Sequence, residues 1–144
     1  MMPVIQNMLS ISMNSGILYF WMRILITGIC GFVGSSLAHI FSEDTQLDVH
    51  GVDDLSFGYQ ERLQGIESKI TFHANDVDTY CSSHSTKFDM IINAAAVAPL
   101  PENQVNHNRS LAVNVGTVGS LIDFMIKTGC RRLLHFSSSA VYEG

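Results

Sequence analysis

A run of three spaced glycines constrains this chain more than any other segment. Thr27–Gly34 reads TGICGFVG, with glycines at 28, 31 and 34. It follows the apolar run Arg23–Thr27 (RILIT) and opens a helical pattern at Phe32. A buried strand that turns at once into a helix needs residues without a Cβ at the bend. The same turn aims the unpaired N–H groups of the helix's first turn, and the positive end of its dipole, beyond the end of the strand. An anionic group such as a pyrophosphate can then lie against bare backbone. Gly28, Gly31 and Gly34 are the candidates for that cradle, and Phe32 and Val33 supply the first helical amides. Cys30 reads as a small side chain that leaves the anion room.

The rest of the chain alternates in the way such a loop requires. Apolar residues at Phe32, Val33, Leu37, Ile40 and Phe41 give a helix over Phe32–Ser42. Leu47–Val52, Lys69–His73, Met90–Asn93 and Arg132–Ser137 read as further strands. Between the last two, His107–Lys127 carries Leu111, Val115, Val118, Leu121, Ile122 and Met125 on one helical face, and Gly129 stands ready to end it. Strands separated by long crossovers predict an α/β fold, a doubly wound parallel sheet of about five strands with right-handed connections.

Composition narrows the partners. Eight Lys and Arg against 13 Asp and Glu give a net charge of −5, and no basic cluster occurs, which disfavours nucleic acid. Only 15% of residues are charged, against about 25% in a typical domain. No run of about 18 apolar residues is present, so no membrane span is expected. Cys30, Cys81 and Cys130 are odd in number and widely spaced, which suits reduced thiols in the cytoplasm. Cys81 and His84 are the nearest approach to a ligand pair, placed in a polar loop, and two ligands do not fill a metal site. Residues 1–21 hold no charged residue and differ from everything after them. They read as a leader outside the domain, with Met22 as the natural start, and as a docking segment over an apolar surface in the alternative.

Other residues gather where ligands bind such sheets, beyond the carboxyl ends of the strands. Asp53 lies 19 residues after Gly34, just past the second strand. A carboxylate there can accept both hydroxyls of an adenosine ribose and would repel a 2′-phosphate. With no arginine beside it in sequence, NAD is favoured over NADP. Asp76 and Val77 follow the third strand, where a polar and an apolar group can bracket adenine. Small residues at Ala94, Ala95 and Ala96 follow the fourth strand, and Ser137–Ser139 the fifth.

In this order TGICGFVG, Asp53, Asp76–Val77, INAAA, Asn114–Val115 and SSSAVY resemble the extended short-chain dehydrogenase/reductases, the NAD-dependent epimerase/dehydratase family that acts mainly on nucleotide sugars. The resemblance runs from Met22 to Tyr142, so residues 22–144 are expected to be the N-terminal portion of a Rossmann-like NAD-binding domain. It implies that Phe32 and Val33 contact pyrophosphate, Asp53 the ribose, and Asp54 to Ser56 the adenosine. It also implies that Asp76 and Val77 hold adenine, that Ala94 to Ala96 line the cofactor, and that Asn114 reaches toward the active site. Ser138 matches the Ser/Thr that hydrogen-bonds the reacting sugar hydroxyl, and 97–108 should border the nicotinamide.

Departures from the family pattern shape the expectation. Its NVxGT appears as Asn114-Val115-Gly116-Thr117-Val118, and its VYG as Val141-Tyr142-Glu143-Gly144. Its Tyr-x-x-x-Lys pair does not occur in these 144 residues, nor does its C-terminal sugar-binding domain. A phenol with a pKa near 10 is a poor base without a neighbouring cation. The expectation is the NAD-binding front of a nucleotide-sugar epimerase or dehydratase, without turnover by itself. The alternatives are a non-catalytic NAD-binding module and a nonfunctional truncated gene product. A homodimer is possible for a longer parent and doubtful here, because the helix carrying Tyr and Lys is not present.

Overall fold

The computed structural model describes residues 21–97 and 107–138. Five parallel strands form one sheet: β1 (Met22–Thr27), β2 (Leu47–Asp53), β3 (Ile70–Ala74), β4 (Met90–Asn93) and β5 (Leu133–His135). Their order is β3-β2-β1-β4-β5. Between β2 and β4 lies β1, with Ile26 paired to Gly51 on one side and to Ile92 on the other. Consecutive crossovers thus run outward from β1 in opposite directions, which opens a crevice above its carboxyl end.

Period-two alternation explains why both faces are covered. Ile24 and Ile26 of β1 point to one layer, with Ile29, Ala38, Val49, Leu63 and Ile92, under α1 (Phe32–Ser42) and a 3₁₀ turn (Gln60–Leu63). Leu25 points to the other layer, with Val52, Tyr80, Phe88, Ile91, Leu121 and Phe124. That layer is closed by α2 (Val77–Ser83) and by the last part of a long helical segment. The segment consists of α3 (His107–Leu111), a π-helical turn (Ala112–Gly116) and α4 (Thr117–Thr128). Gly129 ends it in the left-handed conformation, φ +76°, and its N–H returns to the Met125 carbonyl at 2.8 Å.

Four expectations change in detail. The sequence pattern did not reveal α2, which is only two turns long and too short to show a helical period. Its start is marked instead by Asp76, whose carboxylate caps it by accepting the Thr79 N–H at 2.8 Å. Cys81 therefore lies on a helix and is buried, with His84 at that helix's C-cap, rather than both standing in a polar loop. The predicted fifth strand is shorter, Leu133–His135, because β4 offers it only Ile91 to Asn93 as partners. Finally, Asn108–Thr128 is a continuous 21-residue helix of mean hydropathy 1.2, long and apolar enough to cross a membrane by length and composition. A count of consecutive apolar residues does not mark it, because Ser110, Asn114, Thr117 and Ser120 break the run as well as the charged Arg109, Asp123 and Lys127. Leu121 and Phe124 are nevertheless fully buried against α2 and the sheet.

Under α2 sits a histidine-rich stack. The rings of His50 and His73 lie parallel at 6.1 Å, and His84 stacks on Tyr80 at 4.2 Å. His50 Nε2 faces Asp48 Oδ1 at 3.2 Å, while its Nδ1 is buried without a hydrogen-bond partner. Burial holds both His50 and His73 below the ordinary imidazole pKa.

Candidate dinucleotide-binding crevice

At the end of β1 the chain turns through Gly28 with φ +67°, a conformation costly to residues that carry a Cβ. A Cβ on Gly28 would also stand 2.8 Å from the backbone of Ala95. The loops after β1 and β4 are thus pressed together by this glycine. Gly34 serves a different contact: a Cβ there would run into the Gly28 carbonyl oxygen, so α1 can lie against the turn only at a glycine. The loop is closed by Gly28 N–H to Val52 O at 2.8 Å and Gly31 N–H to Gly28 O at 3.0 Å. At the start of α1, Phe32 is 79% exposed and Val33 partly so, and neither belongs to the core.

Asp53 is the electrostatic centre of the loop cluster. Its side chain is buried, and Oδ2 accepts the Cys30 N–H at 2.9 Å while Oδ1 accepts the Leu55 N–H at 2.8 Å. Each carboxylate oxygen can accept two bonds, so one acceptor position on each remains for a ligand hydroxyl. Burial raises the Asp53 pKa and the two amides oppose that rise. Burial also pushes the Cys30 thiol up to about 12, with the Asp53 charge adding to the shift. Cys30 is therefore a neutral, small, fully buried side chain. Asp54 and Ser56 are exposed on the following loop, where the Ser56 N–H donates to Asp54 Oδ1 at 2.9 Å. Leu55 between them holds φ +58°.

The remaining predicted residues lie at the start of α2, after β4, in the π-turn and just past β5. Asp76 and Val77 begin α2: both Asp76 oxygens accept from Thr79, which keeps its pKa low, and Val77 is buried in the core. Ala94, Ala95 and Ala96 follow β4, tied to β1 by Ala94 N–H to Thr27 O at 3.2 Å and Ala95 N–H to Thr27 Oγ1 at 3.3 Å. Thr27 Oγ1 itself donates to Asn93 Oδ1 at 2.5 Å, and Asn93 Nδ2 donates to His135 Nδ1 at 3.0 Å. This chain of polar side chains locks the ends of β1, β4 and β5. Asn114, in the π-turn, clasps Val97: it accepts that residue's N–H at 2.8 Å and donates to its carbonyl at 3.1 Å. Its polar atoms thus hold the loop after β4. Ser138 is exposed just past β5. Ser139, Val141 and Tyr142, and most of 97–108, lie outside the described residues.

Three residues of this region escaped sequence reading. Gly58 closes over Asp53, since a Cβ there would lie 2.8 Å from Oδ1. The Arg62 guanidinium donates to the Cys30 carbonyl at 3.3 Å and lies over the Tyr59 ring. Arg109 of α3 lies 4.9 Å over the Phe57 ring, with its Nη2 4.0 Å from Asp54 Oδ2. The FG pair in DDLSFG could have signalled Gly58. Arg62 and Arg109 carry no such local mark, because they reach the loop only through the fold.

This geometry fits a dinucleotide. The glycine turn leaves a cradle that a Cβ would fill, a helix N-terminus faces it, and a carboxylate with spare acceptor positions stands one strand away. Comparison with known proteins agrees. Residues 24–144 match the profile of the NAD dependent epimerase/dehydratase family. The UDP-glucose 4-epimerase of Corynebacterium glutamicum is 31% identical over 121 residues, 84% of this chain and 36% of that protein. A crystal structure of a UDP-galactose 4-epimerase superposes with a TM-score of 0.73 at 29% identity, covering 84% of this chain and 40% of that one. The Bordetella bronchiseptica enzyme WbmG, solved in complex with NAD, gives 0.72 at 25% identity, over 85% and 38% of the two chains. The chain thus spans about two fifths of the proteins it matches. By sequence profile, fold and crevice alike, it belongs to the NAD dependent epimerase/dehydratase family.

Proposed function

We propose that this chain is the NAD-binding part of an epimerase or dehydratase acting on a nucleotide sugar. The observation that carries the reading is the buried Asp53 carboxylate, hydrogen-bonded to the glycine loop and retaining one acceptor position on each oxygen. In this reading the first-turn amides at Phe32 and Val33 hold the pyrophosphate, and Asp53 accepts the adenosine ribose hydroxyls. The buried carboxylate repels a 2′-phosphate, which favours NAD over NADP. The Asp54–Ser56 loop borders the adenosine, and the start of α2 at Asp76 and Val77 borders the adenine. Asn114 fixes the Ala94–Ala96 segment by its grip on Val97, so that the nicotinamide lies against small side chains. Ser138 hydrogen-bonds the reacting sugar hydroxyl. When bound, NAD accepts and returns a hydride at a sugar carbon.

No Tyr-x-x-x-Lys pair occurs within the 144 residues, so the chain by itself binds the dinucleotide without hydride transfer. Calorimetric titration with NAD and NADP tests this. NAD is expected to bind and NADP to bind more weakly. NAD at a hundred times its Kd is expected to add about 2.7 kcal/mol to the unfolding free energy. Asp53→Ala, checked for native circular dichroism, is expected to abolish the binding heat. A folded chain with neither a binding heat nor a rise in Tm defeats the reading, and hydride transfer by the chain alone defeats its non-catalytic part.

A further inference from the structure

Asp54 and Phe57 belong to the loop after β2, whereas Arg109 belongs to the helix that follows β4. In the sheet these strands flank β1, whose carboxyl end carries the glycine turn. The Arg109 side chain therefore spans the crevice from one wall to the other. There it meets the Phe57 ring at 4.9 Å and the Asp54 carboxylate at 4.0 Å. The loop it meets is strained. Leu55 holds φ +58°, a conformation unfavourable to a residue that carries a Cβ. A loop of that kind keeps its shape only when its surroundings over-determine it. Asp53 and Asp54 do so from within, through the Leu55 and Ser56 N–H groups. Arg109 does so from across the crevice.

The helix is built to aim that arginine. Immediately after α3 comes the π-turn Ala112–Gly116. One inserted residue rotates everything upstream by about 100° relative to a regular α-helix. Asn114, within the turn, is anchored to Val97, so the direction of α3 is fixed from the β4 side.

We propose that Arg109 is a positioning residue, a clasp that holds the Asp54–Gly58 loop closed over the adenosine half of the crevice and so sets the dinucleotide affinity. The proposal rests on the NAD-binding reading above. Its test therefore includes a measurement made without NAD. In the full chain, amide hydrogen exchange at Leu55 and Ser56 is expected to be about fivefold to tenfold faster in Arg109→Gln and in Asp54→Asn. At Leu55, whose N–H is held by Asp53, the double variant is expected to be no faster than the quicker single one, since both substitutions break the Arg109–Asp54 pair. Raising the salt concentration is expected to speed exchange in the unmodified chain and not in Arg109→Gln. NAD affinity by calorimetry is expected to fall by a similar factor in Arg109→Gln. Arg109→Lys is expected to restore part of it, because lysine keeps the charge but not the planar face over Phe57. Exchange at Leu55 and Ser56 that ignores both substitutions overturns the clasp, as does faster exchange with unchanged NAD affinity. An unmodified chain that binds no NAD while its exchange still responds to Arg109→Gln overturns the NAD reading instead.

Discussion

The two ends of the long helical segment do opposite work. In α4, Thr117, Leu121 and Phe124 are buried against α2 and the sheet, and Lys127 donates to the His84 carbonyl at 2.8 Å at the end of α2. In α3 and the π-turn, Leu111 and Val115 are 62% and 64% exposed, and the polar residues make the structural contacts. Asn114 holds Val97 and Arg109 reaches Asp54. A single helix thus closes the core with one end and shapes the crevice with the other. The π-turn divides them by changing the phase of the side chains.

Substitutions along the segment sharpen this contrast. Phe124→Ala opens a cavity among Tyr80, Phe88 and Leu121, and is expected to cost about 3–5 kcal/mol in urea unfolding. Asn114→Ala leaves the Val97 N–H and carbonyl without their partners, and is expected to cost about 1–3 kcal/mol. It is also expected to weaken NAD binding, a readout that Phe124→Ala does not move in molecules that remain folded. Lys127→Met removes a cation from the C-terminal carbonyls of α2 and is expected to cost about 1 kcal/mol. Leu111→Ala is expected to change stability by less than about 0.5 kcal/mol, because its side chain is already in solvent. A cost for Leu111→Ala equal to that of Phe124→Ala would erase the contrast.

Protons test the α2 face separately. His50 and His73 are held below the ordinary imidazole pKa in the folded chain, so the unfolded chain binds more protons. Their contribution to stability is complete above the ordinary value of 6.5 and is lost as pH falls below it. Asp53, raised by burial, works the other way: its ionised form costs stability above the carboxylate range, and acid relieves that cost. The Tm is therefore expected to fall between pH 7 and pH 5.5, and His73→Phe is expected to flatten that fall. An equal slope in the variant would show that the stacked imidazoles do not govern it.

The sheet was readable because its signals are local. RILIT, LDVHGV and MIIN are short apolar runs, and α1 and Gly129 carry their own punctuation. The structure places the first helix at the predicted Phe32–Ser42 and the fourth strand at the predicted Met90–Asn93. What the pattern missed was short or interrupted. Seven residues are too few to show the period of α2, and no residue type marks the π-turn that shifts Leu111 and Val115 out of the face holding Leu121. Among the site residues, Asp53 was legible from its distance to the glycines. Its grip on the Cys30 amide was not, because that bond joins positions 23 residues apart.

The sequence by itself determined the glycine turn, the strand that leads into it and the helix that leaves it. A Cβ at Gly28 would meet the Ala95 backbone besides the cost of φ +67°, and one at Gly34 would meet the Gly28 carbonyl, so glycine is the residue both positions require. Tertiary structure alone decided that Arg62 and Arg109 would meet the loops of the crevice, and that Asn114, though exposed, would hold both backbone groups of Val97. Those contacts depend on strand order and helix phase. Both follow from the burial of apolar faces across the whole sheet, which no short stretch of residues encodes.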